Sequence, residues 1–438
     1  MDPLLIGLLS IPFLLLLLVL RVHVGIALYA TGFLGYWVMT GNLEQAIRIL
    51  ATQPFAVTAS FTMSVLPLFM IMGVFAGLCG FASDAYEAGA AWLGKIRGGL
   101  SISTVIANAL FGAACGSTVA AISIFCKFSL PEMKKQGYSP TFGTASIASA
   151  GALAMLIPPS VLMIFFGILT EQSIGRIFIA GIGPGILLAG LLSLGIYAMA
   201  RLRPSLAPPS TMDISWKNRI FSLRKVWGIA ILVLIVLGGI YSGVFTPEEA
   251  GAVGAFAALV IALILRRINR KSIRSTLRDA AQINATIFIL YSGATLYSRL
   301  VALSGLPNLL GEWVETASVS PMVILAILML IYLALGCIMD SISMMTLTLP
   351  IVFPISQVLG WDPLWFAVVI IIIMEVGLLT PPVGLSVFVA KAVAGPDVSL
   401  EGLFRAVIPF FFITLLALAL VIVFPQIATW IPGLMLGK

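Results

Sequence analysis

The stretch "LLTPPVG" at residues 378–384 interrupts a long apolar segment with two adjacent prolines, and "MLIPPSV" at residues 155–161 repeats the interruption. Proline has no backbone donor and its ring clashes with the preceding helical turn, so a helix cannot run unbroken through either pair. The two stretches therefore predict a broken helix that occurs twice in the chain.

Composition places these broken helices in a membrane. Of 438 residues, 61% are hydrophobic and 9% are charged, which is far more apolar than a soluble domain. Uncharged runs long enough to cross roughly 30 Å of hydrocarbon recur along the chain. We therefore predict an all-α polytopic membrane protein, with no sizeable soluble domain.

The net charge of +7 does not indicate nucleic-acid binding, because the basic residues are concentrated in two loops. The positive-inside rule places both loops in the cytoplasm. The first loop holds Arg201, Arg203, Lys217, Arg219, Arg224 and Lys225, and the second holds Arg266, Arg267, Arg270, Lys271, Arg274 and Arg278.

Two further apolar stretches carry small or polar residues at their centres. Residues 98–126 contain "GAACGST" and have basic residues at both ends. A re-entrant hairpin would keep both ends in the cytoplasm, whereas a tilted helix with a lax orientation signal is the alternative. Residues 321–350 contain "GCIMDSIS" without basic flanks, which predicts a second hairpin that enters from the outer side.

On this basis the chain has ten full spans and two hairpins, arranged as two halves in the same order. The spans are about 3–20, 23–41, 55–82, 138–170, 176–199, 226–245, 250–265, 283–304, 363–391 and 407–434. Because each half has an odd number of spans, the second copy is inverted. Paired broken helices in inverted repeats are typical of secondary transporters. The alternative is that the Gly and Pro residues at these positions only ease the packing of ordinary membrane helices.

The predicted division is a first repeat at 1–200, a cytoplasmic basic loop at 201–225 and a second repeat at 226–438. The landmarks agree in spacing, since Ser117 precedes Pro158 by 41 residues and Ser341 precedes Pro381 by 40.

The breaks and hairpin tips predict a binding site. Unwound backbone inside lipid costs on the order of several kcal/mol per unsatisfied group, and is tolerated only where an ion, water or substrate replaces the lost partner. The side chains at these points are hydroxyls and one carboxylate, and the backbone adds carbonyls. Hard oxygen donors of this kind suit Na⁺ better than a transition metal. Helix N-termini at the breaks would attract an anionic substrate.

Four stretches make the resemblance to a known family specific. "GSTVAAISIF" at 116–125, "FTPEEAGAVGA" at 245–255, "YSGATLYSRLVALSGLP" at 291–307 and "LTPPVGLSVFV" at 379–389 are similar, in order and spacing, to the large membrane subunit (M subunit) of tripartite ATP-independent periplasmic (TRAP) transporters. The resemblance covers nearly the whole chain.

This resemblance implies an elevator-type transporter in the bacterial inner membrane. It would use a sodium gradient to import a small organic anion, such as a carboxylate or sugar acid. The anion would arrive on a soluble periplasmic binding protein, and a Q-type small membrane subunit, expected here as a separate chain, would enlarge the scaffold. No phosphate-binding loop for ATP is present in the sequence.

The resemblance also implies site residues. Those near the substrate are Ser117, Ser160 and Asp340. Sodium would be bound at the two tips and the two breaks, by Gly116, Ser117, Thr118, Pro158, Asp340, Ser341, Ser343, Thr380 and Pro381.

Each candidate also has a purely structural interpretation. Asp340 is the strongest candidate, because an intramembrane carboxylate is costly and usually functional. The hydroxyls at the tips and breaks could instead bond carbonyls of their own helices. Glu375 lies before the second break and could equally pair across helices. Arg299 is expected to be an interfacial anchor, and His23 to lie at the membrane interface.

Two amphipathic arms occupy equivalent places in the halves, at 43–55 and 266–281. Both are expected to be interfacial helices that brace the scaffold, although an ordinary polar loop is an alternative for the first.

Other functional classes remain. A stand-alone ion or carboxylate transporter of the same architecture would need neither the binding protein nor the small subunit. An enzyme is not expected, because the sequence has no credible catalytic set. The sequence does not identify the substrate.

Overall fold

The structure is a computed structural model that describes residues 2–209, 215–268, 270–316 and 319–435. In these ranges the chain is helical, with no β-strand. Residues 210–214 of the predicted basic loop, and the side chains of Arg270 and Lys271, lie outside this description. The helices are α1 (Pro3–Val19), α2 (Val24–Thr40), α3 (Leu43–Thr58), α4 (Val65–Leu78), α5 (Phe81–Leu93), α6 (Gly99–Cys115), α7 (Thr118–Lys135), α8 (Pro140–Ala150), α9 (Leu153–Leu156), α10 (Val161–Thr170), α11 (Ile174–Leu202), α12 (Trp216–Leu223), α13 (Trp227–Tyr241), α14 (Pro247–Ile264), α15 (Arg270–Leu303), α16 (Leu306–Thr316), α17 (Pro321–Gly336), α18 (Ser341–Val358), α19 (Pro363–Gly377), α20 (Leu385–Ala394), α21 (Leu400–Val423) and α22 (Gln426–Met435).

The predicted number of spans is not confirmed. Within the described ranges, seven helices are long and apolar enough to cross a membrane, and eight if the bent pair around residues 157–160 counts as one. The predicted span at 55–82 has wrong bounds, because α3 continues to Thr58 and the apolar helix α4 covers only Val65–Leu78. Helices α1 and α2 have 17 residues each, which is at the lower limit for a crossing.

The first predicted hairpin is confirmed. Leu100, at the start of α6, donates its N–H to the hydroxyl of Tyr138, just beyond α7, at 3.1 Å. The neighbouring Ser101 Oγ lies 3.8 Å from Met133 Sδ. The members of each pair are nearly equally far from Ser117 along the chain, as an antiparallel helix pair folded at that residue requires. Both ends of the hairpin therefore meet at one place, and a straight crossing is wrong.

The second hairpin folds in the same way about Asp340. The hydroxyls of Tyr332 on α17 and Thr348 on α18 lie 2.6 Å apart and are buried, and the two residues are equally far from Asp340 along the chain. The Asp340 side chain begins α18 by accepting the N–H groups of Ile342 and Ser343, as an N-cap residue does. The helical arms α17 and α18 therefore also run antiparallel.

Both proline pairs break their helices as expected. The helix bends by 41° between the segment ending at Leu156 and α10. At the second pair, α19 ends at Gly377 and α20 begins at Leu385. The Pro158–Pro159 and Pro381–Pro382 peptide bonds are both cis.

The two halves of the chain are packed crosswise. Helix α2 of the first half lies along α15 of the second, and α14 of the second lies along α4 of the first. Glycines allow these close approaches, because a Cβ atom on Gly32 would lie 2.9 Å from Leu296, and one on Gly254 would lie 2.6 Å from Met72. The hairpins repeat the exchange, with α7 against α20 and α18 against α10.

The amphipathic arms differ from the prediction in one respect. The first arm is the helix α3, and not a polar loop. It is tied to the other half by a 2.7 Å hydrogen bond from Gln53 Nε2 to Thr295 Oγ1. The second arm, predicted at 266–281, is not a separate helix, because α15 runs without a break from Arg270 to Leu303.

The predicted span at 407–434 has wrong bounds, because α21 begins at Leu400 and ends at Val423 and a separate short helix, α22, follows from Gln426. Three further short helices were not predicted. Helices α5 and α16 follow α4 and α15 respectively and occupy equivalent places in the two halves. Helix α12 lies within the segment 201–225 that was predicted as a basic loop. It packs on α5, where Trp92 Nε1 donates to the carbonyl of Arg219 at 3.1 Å.

Candidate functional site

The tip of the first hairpin lies against the first helix break. Gly116 ends α6 with φ of +60°, a left-handed conformation that glycine adopts without steric cost. A Cβ atom there would lie 3.2 Å from Val161 N and 3.3 Å from Pro159 O. The predicted residue Gly116 thus lies directly against the break that begins at the predicted residue Pro158, and a side chain at Gly116 would crowd the backbone of that break.

Three of the predicted site residues are N-cap residues, each directly before the first residue of a helix. Ser117 caps α7 and accepts the N–H of Ala120 at 3.4 Å, Ser160 caps α10, and Asp340 caps α18. At each hairpin tip the C-terminus of one helix therefore meets the N-terminus of the next. Carbonyl oxygens at a C-terminus favour a cation, and N–H groups at an N-terminus favour an anion.

A buried carboxylate joins the two tips. Thr118 Oγ1, on the first tip, donates to Glu375 Oε2 at 2.9 Å, and Ser341 Oγ, on the second, donates to Glu375 Oε1 at 3.3 Å. The side chains of Thr118 and Ser341 are themselves buried. The structure therefore brings the predicted residues Thr118 and Ser341 to a single group on α19.

Glycines set the distance between the second tip and the second break. Gly336, the last residue of α17, faces Gly377, the last residue of α19, and a Cβ atom on Gly336 would lie 2.7 Å from Gly377 Cα. The first tip makes a similar approach, since a Cβ on Gly73 of α4 would lie 2.8 Å from the carbonyl oxygen of Cys115. Both tips thus meet a neighbouring helix at bare backbone.

Asp340 and Ser343 form a second polar group at the other side of the second tip. Ser343 Oγ donates to Asp340 Oδ2 at 2.5 Å, and the Asp340 side chain is exposed. Neither side chain has a described hydrogen bond to the first hairpin. Asp340 is thus an accessible carboxylate at a helix start, whereas the buried carboxylate of the site is Glu375.

Two predicted hydroxyls bond the backbone near their own break. Ser160 Oγ donates to the carbonyl of Met155 at 2.5 Å, across the first break. Thr380 Oγ1, just beyond the end of α19, donates to the carbonyl of Val376 in its last turn at 2.8 Å. Thr380 and the adjacent Pro381 also line a separate apolar pocket against α21, of about 320 Å³. Neither the Ser160 nor the Thr380 hydroxyl has a described hydrogen bond to Glu375.

Residues outside the breaks occupy peripheral positions. His23 begins α2, where its Nδ1 accepts the N–H of Gly25 at 3.3 Å, and the side chain of Arg299 is exposed. Sequence reasoning did not assign Glu375 to the site. The available signal was that Glu375 is the only charged residue in the apolar helix α19, which is consistent with a functional intramembrane carboxylate.

Comparison with known proteins points to one family. A family model described as "Tripartite ATP-independent periplasmic transporter, DctM component" matches residues 11–427. The chain is 34% identical, over 390 residues, to the C4-dicarboxylate TRAP transporter large permease protein DctM of Pseudomonas aeruginosa. The alignment covers 89% of this chain and 90% of the relative. The chain is 28% identical to the sialic acid TRAP transporter large permease protein SiaM of Vibrio cholerae, over 92% of this chain and 93% of the relative.

A solved structure shares the fold at low sequence identity. The YdaH transporter of Alcanivorax borkumensis superposes with a TM-score of 0.61 at 17% identity, covering 89% of each chain.

Proposed function

The chain belongs to the DctM component family of tripartite ATP-independent periplasmic transporters, and from this membership we propose that it imports a small organic anion by sodium-coupled secondary active transport. Its relatives are transporter permeases, so the chain is a multi-pass membrane transport protein and not an enzyme. The observation that carries the proposal is the meeting of two re-entrant tips around the buried residues Thr118, Ser341 and Glu375.

Sodium is the cation that these groups would bind as a co-transported substrate. The tips and breaks offer hydroxyl, carboxylate and carbonyl oxygens, which are ligands for a hard cation. The ligand set we propose is Gly116, Ser117, Thr118, Pro158, Asp340, Ser341, Ser343, Thr380 and Pro381. Buried Glu375 supports a cation at the tips, because a lone carboxylate in an apolar interior is costly without a neutralising charge.

The organic anion would bind close to these cations. Ser117, Ser160 and Asp340 are the proposed contact residues, and all three stand at helix N-termini. The two relatives compared above are named for C4-dicarboxylates and for sialic acid, both of which carry a carboxylate. A small carboxylate or sugar acid is therefore the proposed substrate class.

The proposed movement is of the elevator type, in which the two hairpins and broken helices slide together against the other helices. Support comes from the crosswise packing of α7 with α20 and of α18 with α10, which joins hairpins and breaks from both halves into one unit. The glycine contact between Gly73 and the Cys115 carbonyl supports sliding, because no side chain interlocks there.

The proposed partners follow from family membership. A Q-type small membrane subunit would pack against the scaffold in the lipid bilayer, and a soluble periplasmic binding protein would deliver the anion. The proposed location is the bacterial inner membrane, where a periplasmic protein and a sodium gradient are both available.

Reconstitution tests the proposal. Proteoliposomes holding the chain, its small subunit and an inward sodium gradient should accumulate a labelled C4-dicarboxylate or sialic acid only when the cognate binding protein is added outside. Replacing sodium by potassium should abolish accumulation. Equal uptake in potassium would contradict sodium coupling, and uptake by this chain alone would favour a stand-alone transporter.

A further inference from the structure

Glu375 has no role in the ligand set proposed above, yet its environment is unusual. Among the residues that the structure describes, it is the only charged side chain that is buried, with 2% of its surface exposed. No described Lys, Arg or His forms an ion pair with it. Its hydrogen-bond partners are the hydroxyls of Thr118 and Ser341. Burying this carboxylate is energetically costly, which indicates that it has a function at the tips.

The direction of its two hydrogen bonds indicates what that function is. When a cation at the tips balances its charge, the Glu375 carboxylate is ionised and only accepts hydrogen bonds, so each hydroxyl gives its single proton to Glu375. The lone pairs of Thr118 Oγ1 and Ser341 Oγ are then turned away from the carboxylate. Each hydroxyl also becomes a better electron donor, as occurs when a carboxylate hydrogen-bonds a metal ligand.

We propose that Glu375 is a positioning residue that orients the Thr118 and Ser341 hydroxyls so that their lone pairs coordinate sodium ions at the two hairpin tips. The inference rests on the proposed sodium coupling and deepens it. One carboxylate serves both tips, because its two oxygens take one hydroxyl each. Sodium binding at either tip therefore depends on the same residue, although Glu375 itself does not contact the ion.

The variant Glu375→Gln tests this inference with almost no change in shape. Its amide oxygen accepts one hydroxyl, but its amide nitrogen donates, so the other hydroxyl gives one of its two lone pairs to the amide and must point its proton elsewhere, which includes the ion site. We expect the half-saturating sodium concentration to rise about 10-fold to 100-fold, as for other losses of a partner behind a metal ligand. The measurement is sodium-dependent thermal stabilisation of the purified protein, with sodium-dependent uptake as the second readout.

Glu171→Gln is the matched control. Glu171 is an exposed residue at the end of α10, and its substitution should leave the half-saturating sodium concentration unchanged. A wild-type sodium response in Glu375→Gln would overturn the inference while leaving sodium coupling intact.

Single hydroxyl deletions extend the test. Thr118→Val and Ser341→Ala should each raise the half-saturating sodium concentration. If Glu375 acts through these hydroxyls, their combined effects with Glu375→Gln are less than additive. Full additivity would overturn the inference, as would unchanged sodium binding in both hydroxyl variants if Glu375→Gln does not fold. Absence of any sodium response in the wild type would instead overturn the proposed function and the inference together.

Discussion

Gly336 and Gly377 face each other so closely that a Cβ atom on Gly377 would lie 2.8 Å from the Cα of Gly336. We expect Gly377→Ala to destabilise the folded protein by about 1–3 kcal/mol, the usual cost of overpacking an interior. Alanine improves helix propensity by up to about 1 kcal/mol, but the new atom meets backbone, which cannot move aside as a side chain can. The measurement is thermal unfolding of the purified protein.

Gly190→Ala is the matched control for that substitution. Gly190 lies in α11, and a Cβ atom there would meet nothing within 4 Å. Only the propensity gain remains, so we expect an unchanged or slightly raised melting temperature. Equal destabilisation by both substitutions would contradict the proposed importance of the glycine contact.

The hairpins predict which ends share a side of the membrane. Arg97→Cys and Lys135→Cys flank the first hairpin, and Ser320→Cys and Gln357→Cys flank the second. An impermeant maleimide should label the first two only from the cytoplasmic side and the last two only from the outside. The four native cysteines are buried, so their background labelling should be low.

A straight crossing gives a different pattern. One member of a pair would then react from each side of the membrane. That result for either pair would contradict the corresponding hairpin.

The two roles of Asp340 can be separated by substitution. Asparagine keeps the Oδ1 atom that accepts the N–H groups of Ile342 and Ser343, and it caps helices about as well as aspartate. We expect Asp340→Asn to keep the helix cap and most of the stability and to lose sodium-dependent uptake, because it removes the charge and the Oδ2 acceptor of the Ser343 hydroxyl. Uptake and melting temperature are measured on the same preparation.

Asp340→Ala serves as the comparison. It removes both charge and cap, so it should also lose about 1 kcal/mol of stability. Wild-type transport by Asp340→Asn would exclude the carboxylate charge from the mechanism and leave Asp340 as a capping residue.

An ion pair at the first turn of α5, outside the apolar spans, predicts a pH dependence. Arg267 Nη1 lies 3.1 Å from Asp84 Oδ2 and also donates to the carbonyl of Cys79. Burial raises the pKa of Asp84 above its ordinary value, and the nearby Arg267 guanidinium opposes that rise. In Arg267→Ala the pKa of Asp84 should therefore rise further.

The sign of the effect follows from linkage. A carboxyl whose pKa is higher in the folded state binds protons more readily there than in the unfolded state. The free energy of unfolding therefore falls as pH rises above the pKa of the unfolded state, which is about 4. Arg267→Ala should lose about 1 kcal/mol at neutral pH, a figure kept small because the Arg267 side chain is 41% exposed. The loss should shrink near pH 5.

A double substitution checks the assignment. Asp84→Asn combined with Arg267→Ala removes the titrating group, and the added pH dependence should disappear when unfolding is followed between pH 5 and 8. Persistence of the full pH dependence in the double variant would show that another group causes it.

The sequence was sufficient to predict features with a local cause. Proline pairs at Pro158 and Pro381 break their helices whatever surrounds them, and uncharged stretches with small residues at the centre predicted both hairpins. The bounds were less predictable, because apolar composition continues smoothly from the α3 arm into α4. Helix α5 was missed because its sequence, "FASDAYEAGAAWL", contains two carboxylates and is too short to be recognised as a membrane span.

The site itself could be predicted only in part. Asp340 was the strongest candidate because it is the carboxylate at a tip, but the buried carboxylate is Glu375, which is 257 residues from its partner Thr118 along the chain. Helical periodicity predicts which face of α19 carries Glu375. It does not predict which helix packs against that face, because this depends on the crosswise packing of the two halves.

That exchange of partners has a consequence for biosynthesis. The first hairpin leaves the ribosome long before α19, which binds its tip through Glu375, and α20, which packs against its second helix, α7. Until they are made, the Thr118 hydroxyl lacks its native acceptor Glu375, and the face of α7 that later contacts α20 is not covered by that helix. The first half can therefore complete its native packing only after translation has passed Ala394. A prematurely terminated chain would insert into the bilayer with a hairpin that lacks its packing partners.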